Sequence, residues 1–238
     1  MAFSWSSLFY EFCRIPIWTL FNFGFSFRYK GGANVPSDGA ALLVANHQSF
    51  FDPVAVGLAT SRRLAYLGRS TLFDNPLFAK VIRSLGCIPI NQVGFAREGL
   101  MKALEALEQG EALLLFPEGS RTFDGKMQPL KSGIRLLVRR AKVPVIPVGI
   151  AGAYESYPRQ AKFPRPAPVI FPSSRGRIGV EIGEPISPEE LNALSNEELL
   201  TRLYDEIYDL QLQAERLRRP CQLSDRSRHP ESERVGLR

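Results

Sequence analysis

Histidine is almost missing from this chain of 238 residues: there are two, His47 and His229. An HExxH metal site is therefore impossible, and a histidine-built metal centre has too few ligands. Cysteine is scarce as well. Cys13, Cys87 and Cys221 are odd in number, widely spaced and without a CxxC pair, which argues against a disulfide framework or zinc site and for a reducing compartment. No Gly-x-Ser-x-Gly sequence occurs, so the nucleophile elbow of α/β serine hydrolases is absent. No nucleic-acid-binding motif and no internal repeat is visible. The N-terminus has neither the positive opening nor the small-residue cleavage site of a signal peptide.

What is present is ordinary globular material: 45% apolar and 23% charged residues, a balance that excludes wholesale disorder. The net charge of +6 is unevenly placed. Residues 156–180 hold Arg159, Lys162, Arg165, Arg175 and Arg177 and no acid, and residues 214–238 hold seven arginines against four acids. Such patches suit an anionic partner, whether a lipid surface, a nucleic acid or a phosphorylated carrier, or form a solvated basic face.

Residues 3–27 are apolar and aromatic, from Phe3 and Trp5 through Phe12, Ile15, Trp18, Phe21, Phe23 and Phe25 to Phe27. Glu11 and Arg14 interrupt the run, and Pro16 and Gly24 break it. A spanning helix needs about 20 apolar residues, more than the uncharged stretch 15–27 supplies. Aromatics beside Arg14, Arg28 and Lys30 fit a helix pair lying in a membrane interface. The same pattern also suits a helix packed on the protein's own core.

Beyond Gly31-Gly32 and the turn Pro36-Ser37-Asp38-Gly39, short apolar runs alternate with helical patterns. Strands are expected at 41–45, 64–67, 87–90, 112–116, 145–150 and 178–182, and helices at 53–61, 75–84, 95–109, 131–141 and 188–218. The run Ala112 to Phe116 has no polar alternation, which calls for cover on both faces. Met101, Leu104 and Leu107 form an apolar stripe ending at Gly110. Ser187 with Glu190, and Ser195 with Glu198, read as capping boxes. The alternation implies an α/β fold, with a largely parallel or mixed central sheet flanked by helices and an N-terminal interfacial helical anchor.

Three segments carry candidate chemistry. Asn46-His47-Gln48-Ser49-Phe50-Phe51-Asp52-Pro53 follows the strand ending at Ala45. On one regular helix, five steps of about 100° would leave His47 and Asp52 roughly 140° apart. They meet only if the loop folds back. Asp52 then fixes the imidazole tautomer and makes His47 a general base; otherwise Asp52 merely caps the next helix, with Pro53 at its first position. The second segment, Phe116-Pro117-Glu118-Gly119-Ser120-Arg121, ends the most apolar strand with a carboxylate, backbone amides, a hydroxyl and a guanidinium, a set suited to an anion or a hydroxyl. In the third, Val143 to Ile150, Pro144 and Pro147 indicate a strand that pairs imperfectly at its start.

In order and spacing these blocks resemble those of the glycerolipid acyltransferase family typified by 1-acylglycerol-3-phosphate acyltransferase, from about Gly31 to Pro185. The resemblance implies that His47 is the general base, supported by Asp52, and that Glu118, Gly119, Ser120 and Arg121 recognise the glycerol phosphate of a lysophospholipid acceptor. It implies an acyl thioester donor, acyl-CoA or acyl-carrier protein, as co-substrate, with no resident cofactor or metal. The expected division is a membrane-interface helical anchor at 1–30, an acyltransferase domain at 31–218 and a disordered basic tail at 219–238. The expected partner is the lipid bilayer, with no nucleic acid, and the expected place is the cytoplasmic face of a membrane, as a monotopic or peripheral protein. One block departs from the family. Where relatives carry an Asp-Arg pair after a Gly-x-Ile strand, this chain has Asn91-Gln92. Arg97 or Arg69 is the candidate to supply the missing charge.

Acyl transfer to another lysolipid headgroup is the nearest alternative. A thioesterase, with His47 activating water, would leave the acceptor residues without a role. A non-catalytic lipid-surface protein would explain the anchor but not a base beside a carboxylate.

Overall fold

A computed structural model describes residues 5–91, 95–168 and 176–219, the side chains of 5–9, 95 and 96 excepted. Helix α1 (Trp5–Phe25) leads into strand β1 (Arg28–Lys30). Then come β2 (Ala41–Ala45), α2 (Asp52–Ala59), β3 (Ala65–Arg69), a 3-10 turn (Ser70–Phe73), α3 (Pro76–Ser84), β4 (Cys87–Ile90) and α4 (Phe95–Glu108). The second half holds β5 (Ala112–Leu115), α5 (Gly133–Ala141), β6 (Val145–Ala151), α6 (Ala153–Ser156), β7 (Gly179–Ile182), α7 (Pro188–Ala193) and α8 (Asn196–Arg218).

The strands form one seven-stranded sheet in the order β1-β7-β6-β2-β5-β3-β4. All neighbours are parallel except β6 and β7. Apolar side chains alternate between its faces, as a strand's two-residue period requires. Leu43, Leu114 and Ile146 join the buried residues of α1 and α2 on one face. Leu42, Leu113 and Val145 meet those of α4, α5, α7 and α8 on the other. The apolar run at β5 is thus covered on both sides, as its lack of alternation requires. Gly149 on β6 lets α8 lie directly on the strand; a Cβ there would stand 2.1 Å from the backbone of Leu210 and Gln211.

Several boundaries differ from the sequence expectation for identifiable reasons. β1 is three exposed, mostly charged residues whose strand exists only through pairing with β7 at the sheet edge. The helix expected over 188–218 is two. Chain direction changes at Leu194, and Ser195 opens α8 with a complete capping box, its hydroxyl on the Glu198 amide and the Glu198 carboxylate on its own amide. The pair of N-terminal helices is one helix running through Pro16, because a single proline removes only one backbone donor. On α4 the buried stripe is Ala103, Leu104, Ala106 and Leu107, while Met101 is exposed. Pro147 sits inside β6, where its missing donor is harmless. It falls between the Val145–Ile186 bridge and the ladder to β7 that begins at Val148. Of the tail expected at 219–238, only Arg219 lies within the described residues.

α1 bears out the core-packing reading along one face and leaves its other face apolar and exposed. Phe21 and Phe25 are buried in the core beside Phe27, while Phe12, Ile15, Trp18, Leu20 and Phe23 are exposed. Phe21 and Phe25 each meet Phe51 edge-on, at 5.2 and 5.0 Å. The helix therefore supports the residue next to Asp52. Among the described residues, no helix is long and apolar enough to cross a membrane.

Candidate active site

β2 delivers its loop to the centre of the sheet. Asn46 extends the β2–β6 pairing by one residue through its side chain: Nδ2 donates to the Ile150 carbonyl at 2.9 Å, and Oδ1 accepts from the Ile150 amide at 2.7 Å. With Asn46 clamped, the chain turns. The His47 amide donates to Glu118 Oε1 at 2.6 Å, and its carbonyl accepts from the Thr122 amide at 2.9 Å. The loops after β2 and β5 are thereby joined at His47.

The loop then folds back. Asp52 Oδ2 accepts from His47 Nδ1 at 2.8 Å and from the amides of Gln48 and Ser49 at 2.5 and 2.7 Å. Ser49 is held in turn, its hydroxyl donating to the Tyr157 carbonyl at 2.7 Å. Asp52 is fully buried, and its Oδ1 has no hydrogen-bond partner among the described residues. The carboxylate does not cap α2, although it begins that helix just before Pro53; it points back along the chain. With Nδ1 donating to a carboxylate, Nε2 carries the lone pair. The imidazole stacks on Phe116, ring centres 4.0 Å apart, and its side chain keeps 19% exposure. A fixed tautomer, a buried counter-charge and a partly open ring make a competent general base.

Glu118 is 2% exposed. Its Oε1 is taken by the His47 amide and its Oε2 by the Gln128 amide at 2.8 Å. Burial pushes its carboxyl up to about 7; the two amides pull the other way, and the charge of Asp52 adds to the rise. Gly119 adopts φ +75° and closes a turn by donating to the Phe116 carbonyl, a backbone state that favours glycine. Its amide is therefore committed. Among the described residues, the amides of Ser120 and Arg121 donate to no protein acceptor, and the Ser120 side chain is exposed.

Arg121 lies over the Phe50 ring at 3.4 Å, and its Nη1 is buried without a partner. Burial lowers its pKa, and the positive charges of Arg159 and then Arg69 act in the same direction. Arg159 itself lies over the Phe123 ring at 4.4 Å. Arg69 and Arg159 are thus close enough to Arg121 for their charges to act on it.

The structure brings His47, Asp52, Glu118, Gly119 and Arg121 together, with Arg69 at the end of the neighbouring strand β3. Arg97 is exposed on α4, which follows the edge strand β4, two places from β5. Among the described residues no hydrogen bond, ion pair or ring contact joins it to His47, Glu118 or Arg121. Gln92 lies outside the described residues. Asn46, Phe116, Gln128 and Arg159 were not singled out by sequence. Asn46 opens the motif and Phe116 precedes Glu118, so both were within reach of that reading. Gln128 uses only its backbone amide, and Arg159 stood in the sequence only as one charge of a basic patch.

A histidine–aspartate pair at the carboxyl edge of parallel strands, beside cationic side chains, is an arrangement able to deprotonate a hydroxyl or water next to an anionic group. Comparison with known proteins narrows that chemistry. The family model described as Acyltransferase matches residues 26–151, more than half of the chain; the protein belongs to this acyltransferase family. It is 26% identical over 171 residues to the chloroplastic 1-acyl-sn-glycerol-3-phosphate acyltransferase LPAT1 of Arabidopsis thaliana, an alignment covering 71% of this chain and 46% of that protein. With the 1-acyl-sn-glycerol-3-phosphate acyltransferase of Streptococcus pneumoniae it shares 25% identity over 198 residues, 82% of this chain and 69% of the relative. The crystal structure of the 1-acyl-sn-glycerophosphate acyltransferase PlsC from Thermotoga maritima superposes with a TM-score of 0.70 at 26% identity, covering 89% of this chain and 79% of that one. The chain spans less than half the length of the plant relatives, 38% for the Brassica napus protein BAT2 and 46% for LPAT1.

Proposed function

We propose that the protein transfers a fatty acyl group from a thioester, acyl-CoA or acyl-carrier protein, to the free hydroxyl of 1-acylglycerol-3-phosphate, giving phosphatidic acid at the cytoplasmic face of a membrane. The observation that carries the reading is the His47–Asp52 pair at 2.8 Å, bound through the Thr122 amide to the loop that carries Arg121 and its unpartnered guanidinium nitrogen. His47 Nε2 removes the hydroxyl proton as the oxygen attacks the thioester carbonyl carbon. The imidazolium is stabilised by the buried Asp52 carboxylate. The C–S bond breaks, and the proton passes from Nε2 to the departing thiolate. The free amides of Ser120 and Arg121 are suited to developing negative charge.

Arg121, Arg159 and Arg69 are the cations assigned here to the acceptor phosphate. The like charges of Arg159 and Arg69 act on Arg121, which disfavours an empty site and favours a dianion. Glu118 acts as a positioning residue, since both its oxygens are occupied by the amides of His47 and Gln128. The activity for which the relatives are named, 1-acyl-sn-glycerol-3-phosphate acyltransferase, supports the same acceptor.

The test is purified protein with acyl-CoA or acyl-carrier protein and a panel of lysolipids, products read by mass. Phosphatidic acid should form fastest, from the phosphate monoester. Thioester cleavage that proceeds equally without any lipid alcohol would instead make the protein a hydrolase, and preference for a phosphodiester headgroup would overturn the assigned acceptor.

A further inference from the structure

The edge of the sheet that carries the site also exposes apolar side chains on both flanks. β2, β3, β5 and β6 are mutually parallel, so the segments that follow them emerge on one edge. On the β3 side stand the turn Ser70–Phe73 and α3, with Leu72, Leu77 and Phe78 exposed, Leu77 at 76%. Asn75 Oδ1 accepts the amides of both Leu77 and Phe78 at 3.0 Å. That cap fixes the first turn of α3 and presents its two largest side chains to solvent. On the β6 side stands the segment after α6, with Phe163 at 80% exposure. It is tied to the loop after β5, since Tyr154 Oη and Gln160 Nε2 both donate to the Phe123 carbonyl. The strand order β6-β2-β5-β3 puts the His47 loop between the two flanks.

Single exposed apolar residues are normal on a soluble surface. Apolar flanks on either side of a site, each with its own cations, mark an interaction surface. Lys80 and Arg83 accompany Leu77 and Phe78; Lys162 and Arg165 accompany Phe163. The acids on these segments are Asp74, Asp124 and Glu155; Asp124 is engaged by Thr122 and the Lys126 amide, and Glu155 by Arg218 and Arg219. The excess positive charge matches an anionic lipid surface. α1 packs against α3 and carries exposed apolar side chains of its own.

We propose that this edge is a second membrane-docking surface beside α1: Leu77, Phe78 and Phe163 enter the interface of an anionic bilayer, and Lys80, Lys162 and Arg165 meet its headgroups. The proposal rests on the reading of the acceptor as a membrane lipid. With the edge docked, the acceptor's glycerol phosphate reaches the His47 cleft from the leaflet without passing through water.

Full-length protein and two variants, L77D/F78D and Phe163→Asp, are sedimented with vesicles of mixed phosphatidylcholine and phosphatidylglycerol. Loss of two large apolar contacts should weaken partition of L77D/F78D about tenfold or more, and Phe163→Asp should weaken it by a smaller factor, with melting curves unchanged. Turnover of acceptor dispersed in detergent micelles should persist in both variants. Vesicle binding equal to wild type in both would overturn the proposal, as would loss of self-association in place of lost vesicle binding, which would assign the edge to a second copy of the chain. In the wild type, vesicles should also slow amide exchange across 71–80 and 157–165; unchanged exchange in both segments overturns the docking. A protein that binds vesicles in this way but turns over no lysolipid would refute the proposed activity and leave the docking surface standing.

Discussion

Oδ2 of Asp52 takes three donors on a single oxygen, while Oδ1 takes none among the described residues. This asymmetry separates geometry from charge. In Asp52→Asn the amide oxygen can keep all three donors with Nδ2 in the place of Oδ1, so the His47 tautomer and the loop persist and only the counter-charge to the imidazolium is lost. Steady-state kinetics should show a fall in kcat for Asp52→Asn smaller than the roughly 10²- to 10⁴-fold loss expected of His47→Ala, with both variants folded. Glu118 supplies a pH test. Its folded value of about 7 lies above the ordinary 4.5, so the folded state binds the proton more tightly than the unfolded one. Its contribution to stability is full below about 4.5 and declines as pH rises through about 7. Urea unfolding of the wild type between those values should show this decline, and Glu118→Gln should flatten it. Gln offers one oxygen to two amide donors, so the variant should also lose kcat while leaving both KM values nearly unchanged.

At the scale of elements, the ends of strands decide which charges share the site. β3 adjoins β5, so Arg69 ends near the loop of Arg121, whereas α4 starts from the edge and takes Arg97 with it. Arg159 arrives from β6 through α6, on a segment held to the loop after β5 by Tyr154 and Gln160. Arg159→Ala should therefore raise the acceptor KM by about tenfold, the scale of one charge-assisted hydrogen bond, and leave the donor KM unchanged. Arg121→Ala should do at least as much, and Arg97→Ala should alter neither. Initial-rate measurements with each substrate varied in turn check all three. The sequence could count these arginines but not sort them. Arg69, Arg97 and Arg159 are far apart along the chain from Arg121, and only strand order ranks their distances.

For the whole molecule, α1 is both core and exposed apolar surface. Removing residues 1–27 would delete Phe21, Phe25 and Phe27, each exposed to 3% or less, at about 1.5–3 kcal/mol apiece, and would strip Phe51 of its support. The truncated protein should therefore melt at much lower temperature or aggregate, which makes it a poor probe of membrane attachment. Replacing the exposed Phe12, Ile15 and Phe23 by Ser should leave the melting temperature nearly unchanged and reduce vesicle binding. High salt should not release the intact protein, because apolar area is not screened. Thermal melts and vesicle sedimentation distinguish these outcomes.

Period and punctuation were enough to determine the strands at 41–45 and 87–90, the two-faced burial of β5 and the caps at Ser187 and Ser195, because those features depend on neighbours within a few residues. The spacing of His47 and Asp52 likewise stated a condition, that the loop must fold back. Only the tertiary structure met it, through hydrogen-bond partners contributed by separate strands: Glu118 from the loop after β5, Ile150 from β6 and Tyr157 beyond α6. The same holds for β1, a strand by virtue of β7 alone, and for α1, whose buried and exposed faces look equally apolar in sequence. Local chemistry determines what each segment can be; which of its groups are spent on the fold and which remain for substrate depends on contacts between residues distant in the chain.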